Sequence, residues 1–189
     1  MTFVAVTLGV VLGFMIAESR VSHAHVQRLR AAGAVEPPGD VYLALAVLYP
    51  AAFFLMGVEG LWRAASAAIP LRPAGPSWAA AGVLLFVASK ALKYWAIRSL
   101  GERWSFRVLV LPGQPLVQTG PYRYVAHPNY IAVIGELVAT AMMVEARALG
   151  PIMTAVFGLA LWARVRFEDR VLAAERRGSP GPAVDAGGS

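Results

Sequence analysis

The sequence predicts an all-α integral membrane protein of about five transmembrane helices, the last two a hairpin whose final helix runs on as a cytosolic extension. Three observations carry that expectation. Of its 189 residues 58% are hydrophobic and only 15% charged, whereas soluble domains carry about a quarter charged residues. The apolar residues fall in runs long enough to cross a hydrocarbon core of about 30 Å at ~1.5 Å per residue. The basic residues bracket those runs instead of gathering into one patch with interleaved aromatics. The net charge of +6 therefore reads as membrane topology and not as a nucleic-acid interface.

The first expected span covers residues 1–17. It resembles a signal h-region but lacks a positive n-region, and its first basic residue, Arg20, follows the apolar run, so it reads as a retained helix. Val41 to Trp62, Trp78 to Ile97 and Tyr130 to Ala148 are the next three. A fifth begins at Pro151, a good first helical residue, and stays apolar to Ala163 before RVRFEDRVLAAERR. GAVEPPGD (33–40) and RPAGPS (72–77) are Pro/Gly-rich connections, residues 1–177 form a single domain, and GSPGPAVDAGGS (178–189) reads as a disordered tail. Two short apolar runs around a PG turn signal, within 108–120, suggest a small interfacial hairpin.

On this division Arg20, Arg28, Arg30, Arg98, Arg103, Arg107, Arg123 and the tail arginines fall on one side. Only Arg63, Arg72 and Arg147 fall on the other. The positive-inside rule then places the N-terminus outside and the C-terminus in the cytoplasm.

The chain has no cysteine and three histidines, which excludes thiolate metal sites and cysteine nucleophiles and leaves too few imidazoles for most other metal centres; no metal is expected. His23 and His25, two apart, face away from each other on a helix and read as interfacial. Ionisable residues within spans cost about 2.5–3.5 kcal/mol each, so they face other helices or water and are candidates for function. Glu136 shares one side of the fourth helix with Asn129, Thr140 and Met143; it is either a structural carboxylate paired across the bundle or a working group. Lys90 and Lys93 either snorkel to the headgroups, pair with Glu136 or hold an anionic substrate. Arg164 with Glu168 (i,i+4) and Arg166 with Asp169 (i,i+3) read as solvated helix pairs, and adjacent Glu168 and Asp169 point about 100° apart, away from any shared task. His127 precedes Pro128, which disfavours helical geometry there and starts a helix well. The imidazole is thereby fixed at the mouth of the fourth span.

With LVQTGPYRYVAHPNY at 116–130, an apolar hairpin, and RVRFEDRVL at 164–172, the stretch from Leu100 to Leu172 resembles the isoprenylcysteine carboxyl methyltransferase (ICMT) family. These are small membrane enzymes that use S-adenosylmethionine. The resemblance implies a cytosol-facing cofactor pocket lined by Tyr122, His127, Pro128 and Tyr130, with Glu168 binding from the tail helix and Asp169 standing where the family prefers a second glutamate. Ala126 departs from the family, which carries there an arginine that holds the acceptor, and Ala132 replaces a glycine. Arg123 is the nearest substitute for the missing cation, Arg166 and Lys93 are reserves, and Asn129 joins them as a candidate acceptor-binding residue.

RLRAAGAVEPPG (28–39) together with HPNYIAVIGE (127–136) is similar to a bacterial branch that O-methylates alkylpyrones and alkylresorcinols made by type III polyketide synthases. The Ala/Arg/Val-rich, lysine-poor composition fits a GC-rich bacterium. The resemblance thus implies a lipid-like small molecule as acceptor, coupling to a type III polyketide synthase, and a place in the bacterial plasma membrane; the alternative acceptor is isoprenylcysteine. An acidic enol needs no strong base, whereas a phenol, with pKa near ~10, would call on His127 or Glu136. Arg123, His127 and Glu136 are the candidate catalytic residues. Steroid-reductase-like membrane enzymes, which use NADPH, also carry HPNY, but follow it with Gly-Glu where this chain has Ala132 and Val133 after Ile131. A non-catalytic membrane subunit is the remaining alternative.

Overall fold

The computed structural model describes residues 1–66, 75–111, 114–115 and 117–178, without the side chains of 174–178. It contains five long helices: α1 Thr2–Ala31, α2 Tyr42–Ala65, α3 Pro76–Leu100, α4 Pro128–Met143 and α5 Leu149–Gly178. Short 3₁₀ turns at Gly101–Arg103 and Gly120–Arg123 interrupt the long connection between α3 and α4. The first three helices are long and apolar enough to cross a membrane, and α4 is a shorter apolar helix. This supports the all-helical membrane architecture.

Most boundaries fall within three residues of expectation, and two differ by more. The first helix does not stop near residue 17 but continues to Ala31, because the polar stretch after Ala17 retains helix-forming residues and places Glu18, Ser22, Val26 and Leu29 in buried positions. The expected span to Ala148 ends at Met143, where Val144 caps the helix and Glu145 adopts a left-handed backbone with φ 55°. At 16 residues, α4 is about 24 Å long, short of a full hydrocarbon core. The 108–120 segment includes residues outside the described set; Val110 pairs its backbone with Val35 of the 33–40 connection, with N···O distances of 2.8 and 2.9 Å. Residues 72–74 of the RPAGPS connection and the tail after Gly178 lie outside the described residues, while Pro76 and Ser77 already belong to α3.

α3 and α4 form the most extensive helix pair, running antiparallel at close approach. A Cβ added at Gly135 would collide with the Ser89 side chain, and one at Gly82 with Met143 and the Ala139 carbonyl. Small residues at such a crossing let two backbones approach where no hydrophobic force drives helices together in lipid. Gly135→Leu is expected to separate α3 from α4 and abolish a cooperative thermal transition in detergent, checked by tryptophan fluorescence.

α5 packs between α2 and α4. Its first amides are satisfied from another helix: the Glu59 carboxylate of α2 accepts from Ala148 N at 3.0 Å and Leu149 N at 2.7 Å, and from Arg63 Nε at 2.8 Å. A negative charge on the donors at a helix N-terminus is favourable for both. Val11, Phe53, Met56, Phe86, Leu137 and Phe157 belong to one core shared by all five helices, while Phe54, Leu84, Val87, Leu159 and Trp162 are exposed and face the lipid of this reading.

α1 is the least buried of the three long apolar helices and joins the rest through Val4, Val11 and Phe14 in the core and through a set of polar contacts. Glu18 receives Lys90 Nζ at 2.7 Å and Lys93 Nζ at 2.8 Å; Glu136 of α4 lies 3.0 and 2.9 Å from the same two ammoniums. Tyr49 Oη of α2 donates to Glu136 at 2.6 Å. Two carboxylates and two lysines thus form a neutral square inside the bundle, joining α1, α3 and α4. The lysines do not snorkel: Lys90 and Lys93 are buried, and Lys90 sits 4.6 Å from the Phe14 ring centre. Each cation meets two carboxylates, which offsets much of the desolvation cost that open headgroups would otherwise relieve.

Near its C-terminus α1 binds the loop after α3. His25 Nδ1 pairs with the Trp104 carbonyl at 2.8 Å, Ser22 Oγ accepts from Phe106 N at 2.8 Å, and Arg28 meets Glu102 at 2.6 Å. His23 instead pairs with Gln27 at 3.0 Å, so the two α1 histidines diverge as expected. Glu36, bound by both Arg30 and Arg107, ties the 33–40 connection to the same loop. Burial opposes its ionisation, but the two guanidiniums win and hold its carboxyl below the usual range.

Candidate active site

The loop into α4 is shaped by two backbone constraints. Gly120 has φ +60° and a Cβ there would overlap the Ser99 side chain, so this turn needs glycine both for its conformation and for its contact with α3. Pro121 is buried beneath the turn, which leaves Tyr122 and Arg123 to follow. His127 then takes φ −127° and ψ 63° at the N-cap, with Pro128 as the first helical residue. The φ lies in the range favoured before a proline and the ψ, short of the usual extended value, still keeps His127 out of the helical region; its imidazole meets α5.

Five side chains meet there, those of His127, Tyr130, Arg164, Glu168 and Asp169. The His127 ring stacks on Tyr130 with centroids 5.2 Å apart and planes 12° from parallel. His127 Nε2 lies 3.0 Å from Asp169 Oδ1, and Nδ1 lies 3.8 Å from Glu168 Oε2. Tyr130 Oη donates to Glu168 at 2.6 Å and accepts from Arg164 Nε at 3.0 Å. The 100° between Glu168 and Asp169 therefore does not send them to separate places, because one imidazole presents a nitrogen to each. Arg164 and Glu168 are not a solvated pair either. Arg164 is buried; besides Tyr130 it bonds the Phe106 carbonyl and lies 3.6 Å from Asp40. Burial and the nearby Glu168 charge push the Tyr122 hydroxyl well above the ordinary phenol range, so it remains a neutral donor.

These groups open onto a cavity of about 1140 Å³. Tyr122, Arg123, His127, Tyr130, Glu168 and Asp169 line its outer part; Leu45, Tyr49, Val133, Phe157 and Leu161 line it further into the bundle, where Glu18 and Lys93 also reach the wall. Asn129 is on the wall with a buried Oδ1 that has no hydrogen-bond partner among the described residues. Arg103, Arg107 and Arg164 on the wall are engaged with Pro115 and Gln114, with Glu36, and with Tyr130 and Phe106 respectively. Arg123 is exposed and has, among the described residues, no carboxylate or carbonyl partner; its guanidinium lies 6.0 Å from the Tyr124 ring centre.

The structure thus brings together Tyr122, Arg123, His127, Asn129, Tyr130, Glu168 and Asp169, with Pro128 buried behind them, and puts Lys93 deeper on the same wall. Glu136 is outside the lining, enclosed between the two lysines, and Arg166 is exposed beside Trp162, 5.4 Å from its ring centre and away from the cavity. Sequence reasoning missed Glu18, Asp40 and Tyr49 and misread Arg164. Glu18 carried a usable signal, a carboxylate following directly on an apolar helix, but lay one residue past the assumed end of the span.

A model described as the Isoprenylcysteine carboxyl methyltransferase (ICMT) family matches residues 82–174. An uncharacterized protein of Bacillus subtilis (strain 168), YpbQ, is 28% identical over 156 residues, covering 82% of this chain and 88% of that protein. An uncharacterized protein of Haemophilus influenzae (strain ATCC 51907 / DSM 11121 / KW20 / Rd) is 22% identical over 173 residues, covering 91% and 96%. No solved structure matches the chain. The matched segment runs from α3 to α5 and holds His127, Tyr130, Arg164, Glu168 and Asp169, so the likeness to that family falls on the part of the chain that builds this cluster.

Proposed function

We propose that the protein is an S-adenosylmethionine-dependent O-methyltransferase whose acceptor is a small lipid of the bilayer, an alkylpyrone or alkylresorcinol from a type III polyketide synthase. In this reading the His127 end faces the cytoplasm. The observation that carries it is a single cavity whose outer wall is polar and aromatic while its inner wall is largely apolar. A water-soluble cation and an alkyl chain, which gains about 0.8 kcal/mol per buried methylene, can meet only in a space of that kind.

The outer wall fits the cofactor. S-adenosylmethionine carries a sulfonium and an ammonium, and the wall offers the Glu168 and Asp169 carboxylates, the faces of Tyr122 and of the stacked His127–Tyr130 pair, and the unpaired Asn129 Oδ1 for an amino or hydroxyl donor. When bound, the cofactor supplies a methyl group already activated on sulfur. The chain's own residues supply position and charge. Arg123 stands in for the cation missing at Ala126 and holds an enolate or phenolate oxygen. For a phenol, His127 takes the proton and Asp169 stabilises the imidazolium. Glu136, locked between lysines and away from the wall, serves the scaffold, and Arg166 has no part in the site. Lys93 is left with a role in the deep cavity.

Saturating S-adenosylhomocysteine is expected to stabilise the detergent-solubilised protein by about 2.7 kcal/mol at a hundredfold excess over Kd, with no shift from NADPH; stabilisation by NADPH alone would replace this reading with a reductase. Arg123→Ala is expected to lower methyl transfer to a pentadecylresorcinol or alkylpyrone about 10- to 100-fold, the loss of a charge-assisted bond, while S-adenosylhomocysteine affinity stays within about twofold. Equal turnover in a radiolabelled-methyl assay would remove Arg123 from the acceptor site.

A further inference from the structure

The geometry points to a second polar subsite in the membrane-buried part of the cavity, formed by Tyr49, Glu18 and Lys93, that receives a neutral hydroxyl carried on the acceptor some distance from its reacting oxygen. This rests on the reading that the cavity takes a lipid acceptor, and it narrows the class of that acceptor.

The charge square explains how α1 is held but not why part of it faces an open space. Glu18 and Lys93 are 3% and 1% exposed, yet both line the cavity wall together with Tyr49, whereas Lys90 and Glu136, the other half of the square, do not. A purely structural ion cluster in lipid would be expected to be sealed on every side, because each open flank adds desolvation cost without a partner.

The cavity-side atoms also have bonding capacity left over. Tyr49 Oη donates its proton to Glu136 and, among the described residues, accepts no hydrogen bond. Lys93 directs two of its three N–H donors at Glu18 and Glu136. The Glu18 carboxylate receives one lysine on each oxygen, Lys90 on Oε1 and Lys93 on Oε2, leaving further lone pairs. A donor and two acceptors on one wall match a hydroxyl, which can accept from Lys93 while donating to Tyr49 or Glu18.

Net charge decides against an ion. The two carboxylates cancel the two ammoniums, so an anion drawn to Lys93 also meets Glu18, and a cation meets the reverse. A neutral dipole incurs neither penalty. The depth of the square fixes where the hydroxyl belongs. Glu136 lies nine residues beyond His127 on the same helix, about 13 Å at ~1.5 Å per residue. The subsite therefore reads the alkyl chain and not the headgroup that Arg123 holds. Sites built to bond a hydroxyl reject the analogue lacking it far more strongly than apolar pockets discriminate a methylene.

The test uses the full chain in lipid nanodiscs without cofactor, with dodecanoate and its hydroxydodecanoate isomers bearing the hydroxyl at successive carbons as probes. At least one mid- or distal-chain isomer is expected to bind about tenfold more tightly than dodecanoate, and Tyr49→Phe to abolish that preference while dodecanoate binding is unchanged. If Tyr49→Phe fails to fold, a photoreactive diazirine beside the preferred hydroxyl is expected to crosslink the wild-type protein at Met15, Ser19, Ala46 or Tyr49. Equal binding of every isomer and dodecanoate, a preference that survives Tyr49→Phe, or crosslinks confined to the His127 end would each overturn the subsite. Stabilisation by S-adenosylhomocysteine, measured separately, reports on the methyltransferase reading, so either can fail alone.

Discussion

Lys93→Met is expected to destabilise the protein by about 3–5 kcal/mol, the cost of breaking a buried ion pair by removing one partner. Lys93 is 1% exposed and holds both Glu18 and Glu136. Without it, three charges remain in a space built for four, and the surplus is negative. For a chain of this size such a loss lowers the melting temperature on the order of 10 °C. The compensating pair Lys93→Met with Glu136→Gln leaves one carboxylate facing one lysine and is expected to recover at least about half of the deficit, because the coupling between neighbouring sites is then removed and not merely unbalanced. Tryptophan-fluorescence melts of wild type, both singles and the double decide it. Additive losses would mean that the square is not a coupled unit.

Glu168→Ala carries the second large effect, on ligand binding and not on folding. Its carboxylate accepts from Tyr130 at 2.6 Å and faces His127 Nδ1 at 3.8 Å. Its loss frees the Tyr130 hydroxyl, and with it the ring on which His127 stacks. S-adenosylhomocysteine affinity is expected to fall about 10- to 100-fold, the range for a charge-assisted bond and a displaced partner. Asp169→Ala is expected to cost less, since that side chain is 57% exposed and its pairing with His127 is screened by water. Isothermal titration of both variants orders them, and an unchanged Kd for Glu168→Ala removes this carboxylate from the cofactor site.

Most of the outer site was legible in the primary sequence, for a local reason. His127 is positioned by the proline that follows it, Tyr122 and Arg123 by a glycine–proline turn, and Tyr130 by being half a turn from Pro128; each is fixed by its chain neighbours. Glu168 and Asp169 were recognised by their pattern, but their convergence on one imidazole is a tertiary fact that helical angles alone argued against. The inner site was less accessible. Lys93 and Glu136 stood out as charges in apolar runs, but pairing them required Glu18, which the assumed length of the first helix had placed in a loop. Arg164 was assigned to its i+4 neighbour because helix spacing is visible in one dimension, whereas the Phe106 carbonyl and Asp40, far away in the chain, are not. The break after Met143 was equally hidden: nothing in VEARAL demands that Glu145 take a left-handed backbone, and the turn is fixed in part by Glu59 of another helix.

That borrowed carboxylate has a consequence for assembly. The segment matched by the family model begins at residue 82, but the helix presenting Glu168 and Asp169 has its starting amides bound by Glu59. A fragment restricted to the recognisable half would leave those amides searching for a partner in lipid, which offers none. The start of the last helix is thus tied to a segment about 90 residues earlier in the chain, and the C-terminal half expressed alone is expected to lose the register that brings Glu168 and Asp169 to His127.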